Sequence, residues 1–225
     1  MSDALDQDEP AAVGAPGRRR RNSLNREVIV RTAMDAFRGS DLGTLTFQAL
    51  GRHLSAHPTA IYRHFRDKDE LLRAAADWLL AGALDGLVLT GSWPDDVRAL
   101  VLHVRRRYLE HPGVVVLIAT ASGPLQGEAT ATEQVLALLR SGGLDRAEAA
   151  RAFEVLQDYL ISLTAADAAA LHESADPWRE AFADLPTDEF PNLVASNDLL
   201  YVDREARFRF GLDLLVDALD RRRQS

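Results

Sequence analysis

Apolar residues recur three or four positions apart along most of this chain, and that spacing constrains the fold more than any other feature. Residues 29–37 and 208–219 each carry such a stripe, which is typical of one buried face of a helix. No segment shows the apolar–polar alternation of a half-buried strand. Aromatic residues make up only 7% of the sequence, which argues further against a sandwich or a barrel. The sequence therefore predicts an all-α protein.

The composition excludes several classes of protein. The chain has no cysteine, so disulfide scaffolds, thiolate metal sites and thiol nucleophiles are excluded. Its longest apolar run, residues 113–121, is about half of the ~18 residues that a membrane span needs, so we expect no membrane partner. Residues 1–16 are acidic and lack the apolar segment of a secretion signal. We therefore expect a cytoplasmic protein.

The net charge of −8 conceals a strong asymmetry along the chain. Residues 1–17 carry four acidic side chains and no basic ones, whereas residues 18–73 carry 12 basic and 6 acidic side chains. Residues 74–225 carry 14 basic and 24 acidic side chains. A basic segment near the N-terminus, joined to an acidic body, favours a nucleic-acid partner for the basic segment.

Three successive helix starts can be read inside the basic segment. Thr46 is a good N-cap, Pro58 suits the first turn of a helix, and Asp67 opens a D-x-x-E capping box. The first two predict short helices at 46–54 and 58–65, joined by a turn of about three residues. Asp67 opens the helix that follows them. Two short helices with such a turn are typical of a helix-turn-helix.

We expect the chain to have three parts. Residues 1–24 would be a disordered arm, first acidic and then Arg-rich. Residues 25–70 would be a three-helix, helix-turn-helix domain, and residues 71–225 a larger helical domain. The helices of the larger domain are predicted at residues 95–111, 113–121, 125–140, 145–171 and 204–222. The last two of them, 145–171 and 204–222, are long, and each carries an apolar stripe.

A helix-turn-helix places its second helix in the major groove of duplex DNA. Because Ile61 and Phe65 are expected to point inward, the remaining side chains of that helix would face DNA. Thr59 can contact a base, and Lys68, at the start of the next helix, can meet a phosphate. The Arg18–Arg21 run can reach phosphates or the minor groove. The candidate DNA contacts from the residues themselves are Arg18, Arg19, Arg20, Arg21, Thr46, His57, Pro58, Thr59, Tyr62, Arg63, His64 and Lys68.

The segment from Ile61 to Leu72 reads I-Y-R-H-F-x-x-K-x-x-L-L, and Leu45-Thr46 and Ala49-Leu50 precede it. This pattern resembles the DNA-binding domain of the tetracycline-repressor (TetR) family. The resemblance covers residues 25–73 and extends more weakly through 94–172, which is similar to the ligand domain of the tetracycline-repressor-like branch.

The sequence departs from the family pattern at two places. The turn of the family motif usually reads Leu-Gly-Val-Ser, whereas this chain has Leu54-Ser55-Ala56-His57. A glycine usually ends the first helix where this chain has Asp41. Both departures concern the geometry of turns, because glycine adopts left-handed conformations more readily than serine or aspartate.

The resemblance implies a function and a set of partners. It implies a homodimer that binds a pseudo-palindromic double-stranded DNA operator, represses transcription, and leaves the operator when a small molecule binds the C-terminal domain. Residues 25–70 would then be the DNA-binding domain and residues 71–225 the domain for effector binding and dimerisation, with helices 145–171 and 204–222 in the dimer's four-helix bundle. It also implies that Gln48, in the first helix of the motif, reaches DNA. The identity of the small-molecule effector stays open, and no cofactor is expected.

Polar residues in the otherwise apolar helices of the body are the candidates for effector contacts, since ligand pockets are mostly apolar with a few placed polar groups. Residues 114–118 are wholly apolar where tetracycline-binding members of the family place a metal-ligating histidine, so we expect no metal site there. The candidate ligand contacts are His103, Arg107, Tyr108, Gln126, Gln134, Gln157, Asp158 and Ser162.

Two other classes of function compete with a ligand-responsive regulator. An enzyme would need a catalytic constellation, but the sequence has no G-x-S-x-G, no P-loop and no G-x-G-x-x-G, so we expect no catalytic residues. The other class is an effector-independent or architectural DNA-binding protein. A C-terminal domain without a cavity would favour that alternative.

Overall fold

The structure, a computed structural model, describes residues 24–36, 38–39, 44–121, 125, 127–170, 180–200 and 203–224. The Arg18–Arg21 run, Asp41 and Gln126 lie outside the described residues. The described residues contain α-helices and no strand, which confirms the all-α prediction. The helices are α1 (Arg26–Ala36), α2 (Phe47–His53), α3 (Pro58–Tyr62), α4 (Lys68–Ala81), α5 (Trp93–Leu109), α6 (Pro112–Ala119), α7 (Glu128–Ser141), α8 (Arg146–Ala169), α9 (Pro191–Ser196) and α10 (Arg204–Arg223).

The first three helices and the start of α4 pack around a small apolar core. Ile29 of α1, Leu50 of α2 and Ile61 of α3 are fully buried, and so are Phe65 and Leu71. α1 packs against α2 and α4, and α2 packs against α3. Burial of Ile61 and Phe65 agrees with the inward direction that their spacing predicts. We refer below to residues 24–67 as the head.

The predicted helix starts of the head are confirmed at atomic detail. The Thr46 hydroxyl accepts a hydrogen bond from the Ala49 N–H at 3.0 Å, and the Asp67 carboxylate accepts one from the Glu70 N–H at 2.8 Å. The capping box is not reciprocal, however. The Glu70 carboxylate accepts from the Arg66 N–H at 2.8 Å. Glu70 thus bonds to the N–H of the residue before the N-cap and not to the N–H of Asp67 itself.

The helix α3 is shorter than the sequence predicts. It ends at Tyr62, whereas the prediction extended it to Phe65. The N–H groups of His64 and Phe65 both bond to the Ile61 carbonyl, at 2.9 and 3.0 Å, so the chain tightens into a turn. The apolar spacing of Ile61 and Phe65 is preserved because this turn still returns Phe65 to the core.

The helix α4 passes from the head into the rest of the molecule. Leu71 near its start is buried in the core of the head, and Leu79 and Leu80 near its end are buried against the body. The helix packs against α1 on one side and against α6 and α7 on the other. The predicted domain boundary between residues 70 and 71 therefore falls inside α4, and the division into domains stays a prediction.

The remaining helices form the body. Pro94 and Pro112 lie in the first turns of α5 and α6, and Asp145 caps α8 by accepting from the Glu148 N–H at 2.8 Å. The helix α7 begins at Glu128, three residues after the predicted start at Leu125. None of the described helices is long and apolar enough to cross a membrane.

A buried ionic cluster joins three helices of the body. Arg105 of α5 pairs with Asp167 of α8 at 2.7 Å, and their side chains are only 4% and 6% exposed. Arg207 of α10 donates to the other Asp167 oxygen at 2.7 Å. The Arg105 guanidinium also donates to the Thr164 hydroxyl at 3.3 Å and lies 4.1 Å from the centre of the Phe208 ring. Asp167 is thus the carboxylate on which two arginines from neighbouring helices depend.

We predict that Asp167→Ala lowers the free energy of unfolding by up to about 3–5 kcal/mol, because it leaves the buried Arg105 guanidinium with only the half-exposed Glu205 carboxylate, 3.2 Å away. Chemical denaturation monitored by circular dichroism measures this change. Asp213→Ala is the matched control. Asp213 pairs with Arg98 at 2.7 Å, but its side chain is 56% exposed, so its loss is expected to cost less than about 1 kcal/mol. Equal losses in the two variants would contradict the structural role of the cluster.

Candidate nucleic-acid interface and interior cavity

The turn between α2 and α3 is tight, and one residue in it has an uncommon conformation. The Ala56 N–H donates to the Gly51 carbonyl at 2.9 Å, and a Cβ atom on Gly51 would lie only 2.7 Å from the Ala56 carbonyl oxygen. Ser55 has a φ of +50°, the left-handed region that favours glycine. Ser55 thus adopts the left-handed conformation at the position where the family motif usually has glycine.

His57 and Thr59 form a local pair at the start of α3. His57 is the N-cap of the helix, and its Nδ1 accepts from the Thr59 N–H at 3.3 Å and lies 2.8 Å from the Thr59 hydroxyl oxygen. Pro58, between them, occupies the first turn of α3. Both paired side chains are exposed. The pair fixes the direction in which the Thr59 hydroxyl points.

The predicted contact residues share the surface formed by α2 and α3. Gln48, His57 and Pro58 line one shallow hollow between the two helices. Tyr62 is 58% exposed, and its ring meets the Phe47 ring edge-on with centres 4.8 Å apart, so its phenol is held on the surface. The remaining candidates are exposed or half-buried on or beside this surface, namely Thr46, Thr59, Arg63, His64 and Lys68.

Arg52 is a surface residue of α2 that the sequence analysis missed. It is exposed and lines the same hollow as Gln48, which lies one helical turn earlier. The i, i+4 spacing from Gln48 was the available signal, because residues so spaced share a face of a helix. A guanidinium at this position adds positive charge beside α3.

A second arginine missed by the sequence analysis holds the head together. The Arg26 guanidinium pairs with the Glu70 carboxylate at 2.8 Å, donates to the His64 carbonyl, and lies 4.1 Å from the centre of the Phe65 ring. The N–H of Arg66 and the hydrogen bond from Arg26 hold the pKa of Glu70 below its usual value. Arg26 thereby fixes the start of α1 to the turn between α3 and α4.

The end of α1 is tied to the corner between α5 and α6. The Gly39 N–H donates to the Glu110 carbonyl at 3.1 Å, and Arg38 pairs with the Glu110 carboxylate. His111, the next residue, is buried, and burial together with the nearby Arg38 charge lowers its pKa. The head therefore contacts the body through this corner as well as through α4.

The body encloses an apolar cavity of about 390 Å³. Leu80, Ala83 and Leu84, at and just beyond the end of α4, form one part of its wall, and residues of α5, α6, α7 and α8 complete it. The volume lies within the range of about 300–1,000 Å³ that is typical of small-molecule sites. The polar residues of the lining are Tyr108, Glu128, Thr132 and Gln157.

The predicted ligand contacts divide into two groups. Tyr108 and Gln157 line the cavity. Gln134, Asp158 and Ser162 do not line it and are exposed on α7 and α8. Each is close in sequence to a residue that lines the cavity. Because successive residues of a helix are rotated by about 100° around its axis, each nevertheless faces another direction.

Two basic candidates also lie outside the cavity lining. The His103 Nε2 lies 3.0 Å from the Asp85 carbonyl oxygen, and its Nδ1 lies 3.1 Å from an Arg106 nitrogen, on a different side of α5. Arg107 packs beside Gly82, and its Nε is buried without a hydrogen-bond partner. Among the described residues, no cluster of three or more histidine, aspartate or glutamate side chains could hold a metal ion.

Two family models match the chain. The model for bacterial regulatory proteins of the tetR family matches residues 29–75, and the model for the tetracyclin repressor-like C-terminal domain matches residues 88–223. An HTH-type transcriptional regulator of Saccharopolyspora erythraea is 28% identical over 198 residues, which cover 86% of this chain and 83% of that protein. The two matches together span the head and the body.

Solved structures of similar proteins share the fold. A possible TetR family transcriptional regulator from Streptomyces coelicolor A3(2) is 28% identical, with a TM-score of 0.72, and covers 87% of this chain and 98% of its own. The TetR family protein ActR from Streptomyces coelicolor, in complex with (S)-DNPA, is 26% identical, with a TM-score of 0.70, and covers 88% of this chain and 98% of its own.

The conformation of Ser55 generates a prediction about stability. Ser55→Gly is expected to raise the free energy of unfolding by up to about 1 kcal/mol, because it removes the Cβ clash of a left-handed residue. Glycine also gives the unfolded chain more conformational entropy, which offsets only part of this gain. Thermal or denaturant unfolding measures the gain. Ser55→Ala is the control, since it keeps the Cβ and should give no gain. A gain of similar size in both variants would refute this account of the turn.

Proposed function

The chain belongs to the TetR family of bacterial regulatory proteins, and on that premise we propose that it is a ligand-responsive repressor. As a homodimer it binds a pseudo-palindromic operator through its two heads. A small molecule that enters the cavity of the body releases it from DNA. The relative ActR, solved in complex with (S)-DNPA, supports a ligand site in the same fold.

The observation that carries this proposal is the position of α4. Its first residue, Lys68, follows directly on the helix-turn-helix, and its last turn supplies Leu80 to the cavity wall. A helix of 14 residues spans about 21 Å, so one rigid element reaches from the DNA-binding surface to the ligand. A ligand that fits one position of α4 better than another shifts the population of head positions.

The cavity also distinguishes this proposal from its competitors. An effector-independent or architectural protein needs no interior space, whereas this body encloses about 390 Å³ with a mostly apolar wall. We further propose that the bound molecule is not transformed. The polar side chains of the described lining are Tyr108, Glu128, Thr132 and Gln157, and the Glu128 carboxylate is hydrogen-bonded to the Gln157 amide, which is not a nucleophile.

The outer surfaces of α8 and α10 favour the homodimer. Val155 of α8 and Phe210 and Leu214 of α10 are more than half exposed, although all three are large and apolar. Two copies that pair α8 and α10 would form a four-helix bundle and cover these side chains. The two α3 helices would then lie about 34–36 Å apart to meet half-sites one turn of duplex apart.

Selection from a random duplex library tests the proposed function. We expect the full chain to enrich a pseudo-palindromic sequence whose half-sites are centred one helical turn apart, and sedimentation to give the mass of a dimer. Binding should weaken steeply with added salt, because Lys and Arg contacts release counterions from DNA. A monomeric protein that retains no duplex at low ionic strength would refute the proposal.

Two variants, one at the start of α4 and one in α3, separate phosphate contacts from base contacts. Lys68→Ala is expected to weaken binding to all sequences and to lower the slope of log Kd against log salt by about 1. Thr59→Val keeps the shape of the side chain but removes its hydroxyl, so the preferred base at one position should change while the salt slope does not. Fluorescence anisotropy over a salt series, followed by repeated selection, measures both effects.

Arg140→Ala is the control for these variants. Arg140 is exposed in the last turn of α7, far from α3 in the chain, and its loss removes one positive charge without touching the head. It should leave both the salt slope and the selected sequence unchanged. An unchanged slope in Lys68→Ala would show that Lys68 does not meet a phosphate.

A further inference from the structure

The cavity of the body has one charged side chain in its described lining. The carboxylate of Glu128, the first residue of α7, faces a wall that is otherwise made of apolar residues and of the uncharged Tyr108, Thr132 and Gln157. The wall contains no lysine or arginine among its described members. A ligand in this cavity therefore meets a negative charge that no cation of the wall neutralises.

The protein stabilises this carboxylate only in part. One Glu128 oxygen accepts from the Gln157 amide at 3.2 Å, and the other accepts from the Leu125 N–H at a long 3.4 Å. The N-terminal end of α7 adds a favourable helix dipole. Charged groups are far better compensated by an opposite charge than by long neutral hydrogen bonds, so the carboxylate keeps capacity for a cationic partner.

Tyr108 lines the same cavity as Glu128, and the charge of Glu128 affects its pKa. Its side chain is only 4% exposed, and it is fully apolar apart from the hydroxyl. Burial, and then the charge of Glu128, raise the pKa of the Tyr108 phenol well above its usual value. Like any neutral phenol, the Tyr108 hydroxyl can accept a hydrogen bond from a ligand as well as donate one.

We propose, as a refinement that rests on the proposed function, that the effector is an amphipathic organic cation. Its apolar body fills the space between α4 and α8, and a protonated amine donates to the Glu128 carboxylate. An anionic ligand would have to be buried beside a like charge, which is unfavourable in an apolar surrounding. The excess of acidic side chains in residues 74–225 further draws cations toward the body.

Three probes with one ring system and different charge test the proposal. They are 1-naphthylmethylamine, protonated at pH 7, the neutral 1-naphthylmethanol and the anionic 1-naphthoate. Calorimetric titration of the full chain without DNA should give a Kd for the amine about tenfold or more below that of the alcohol, because the ammonium adds an opposite charge to the hydrogen bond that the carboxylate can accept from either ligand. The naphthoate should bind more weakly than both.

Glu128→Gln removes the charge and keeps the shape of the side chain. It should abolish the preference for the amine over the alcohol, because the amide oxygen still accepts a hydrogen bond from either ligand but carries no charge to pair with the ammonium. Glu133→Gln is the matched control, because Glu133 lies on the same helix but is exposed, and it should keep the full preference. If Glu128→Gln folds poorly, the comparison of the three probes on the unaltered chain still tests whether the cavity prefers a cation.

Several outcomes would overturn the inference. Equal or tighter binding of the naphthoate, no binding of any probe, or a preference for the amine that survives Glu128→Gln would each do so. These results are independent of the operator selection, which is performed without a probe. A chain that binds the amine but no duplex would refute the proposed function alone, and a chain that binds a pseudo-palindrome but prefers the naphthoate would refute the ligand class alone.

Discussion

The fold depends on a constraint that α4 must satisfy at both of its ends. Leu71 fills the core of the head beside Ile61 and Phe65, while Leu80, less than three turns later, belongs to the wall of the cavity. Close packing makes each of these positions intolerant of small shifts. A change in the cavity therefore cannot move the end of α4 without moving or straining its start. The asymmetric cap at Asp67 and Glu70 fits this demand, because it fixes the chain that enters α4 as well as the helix itself.

The polar contacts of α1 define how the head can move. Arg26 ties the start of α1 to the turn before α4, and Arg38 and Gly39 tie its end to Glu110 in the body. The first contact lies within the head and involves a carbonyl, a carboxylate and a ring, so it favours motion of the head as one unit. The second is partly exposed, and exposed ion pairs contribute little free energy. The weaker contact is thus at the place where the head would separate from the body.

Local signals in the sequence predicted the beginnings of helices well, and tertiary features less well. Thr46, Pro58, Asp67 and Asp145 act within three or four residues of themselves, so their roles can be read without a fold. The end of α3 and the lining of the cavity depend on which face meets which neighbour. Gln157 and Asp158 are adjacent in the sequence, yet one lines the cavity and the other is exposed. Arg26 and Glu110 were missed for the same reason, since their partners lie 44 and 72 residues away.

The separation of charge along the chain acts on both ends of α4. Basic side chains predominate in residues 18–73, where a polyanion would bind, and acidic side chains predominate in residues 74–225. The same acidic excess disfavours contact between the body and DNA, because like charges repel over roughly a Debye length of about 8–10 Å. It also makes the cavity a poor place for an anion, and Glu128 carries that sign into the interior. This electrostatic division of the chain is consistent with the DNA contacts and with the cationic effector that we propose.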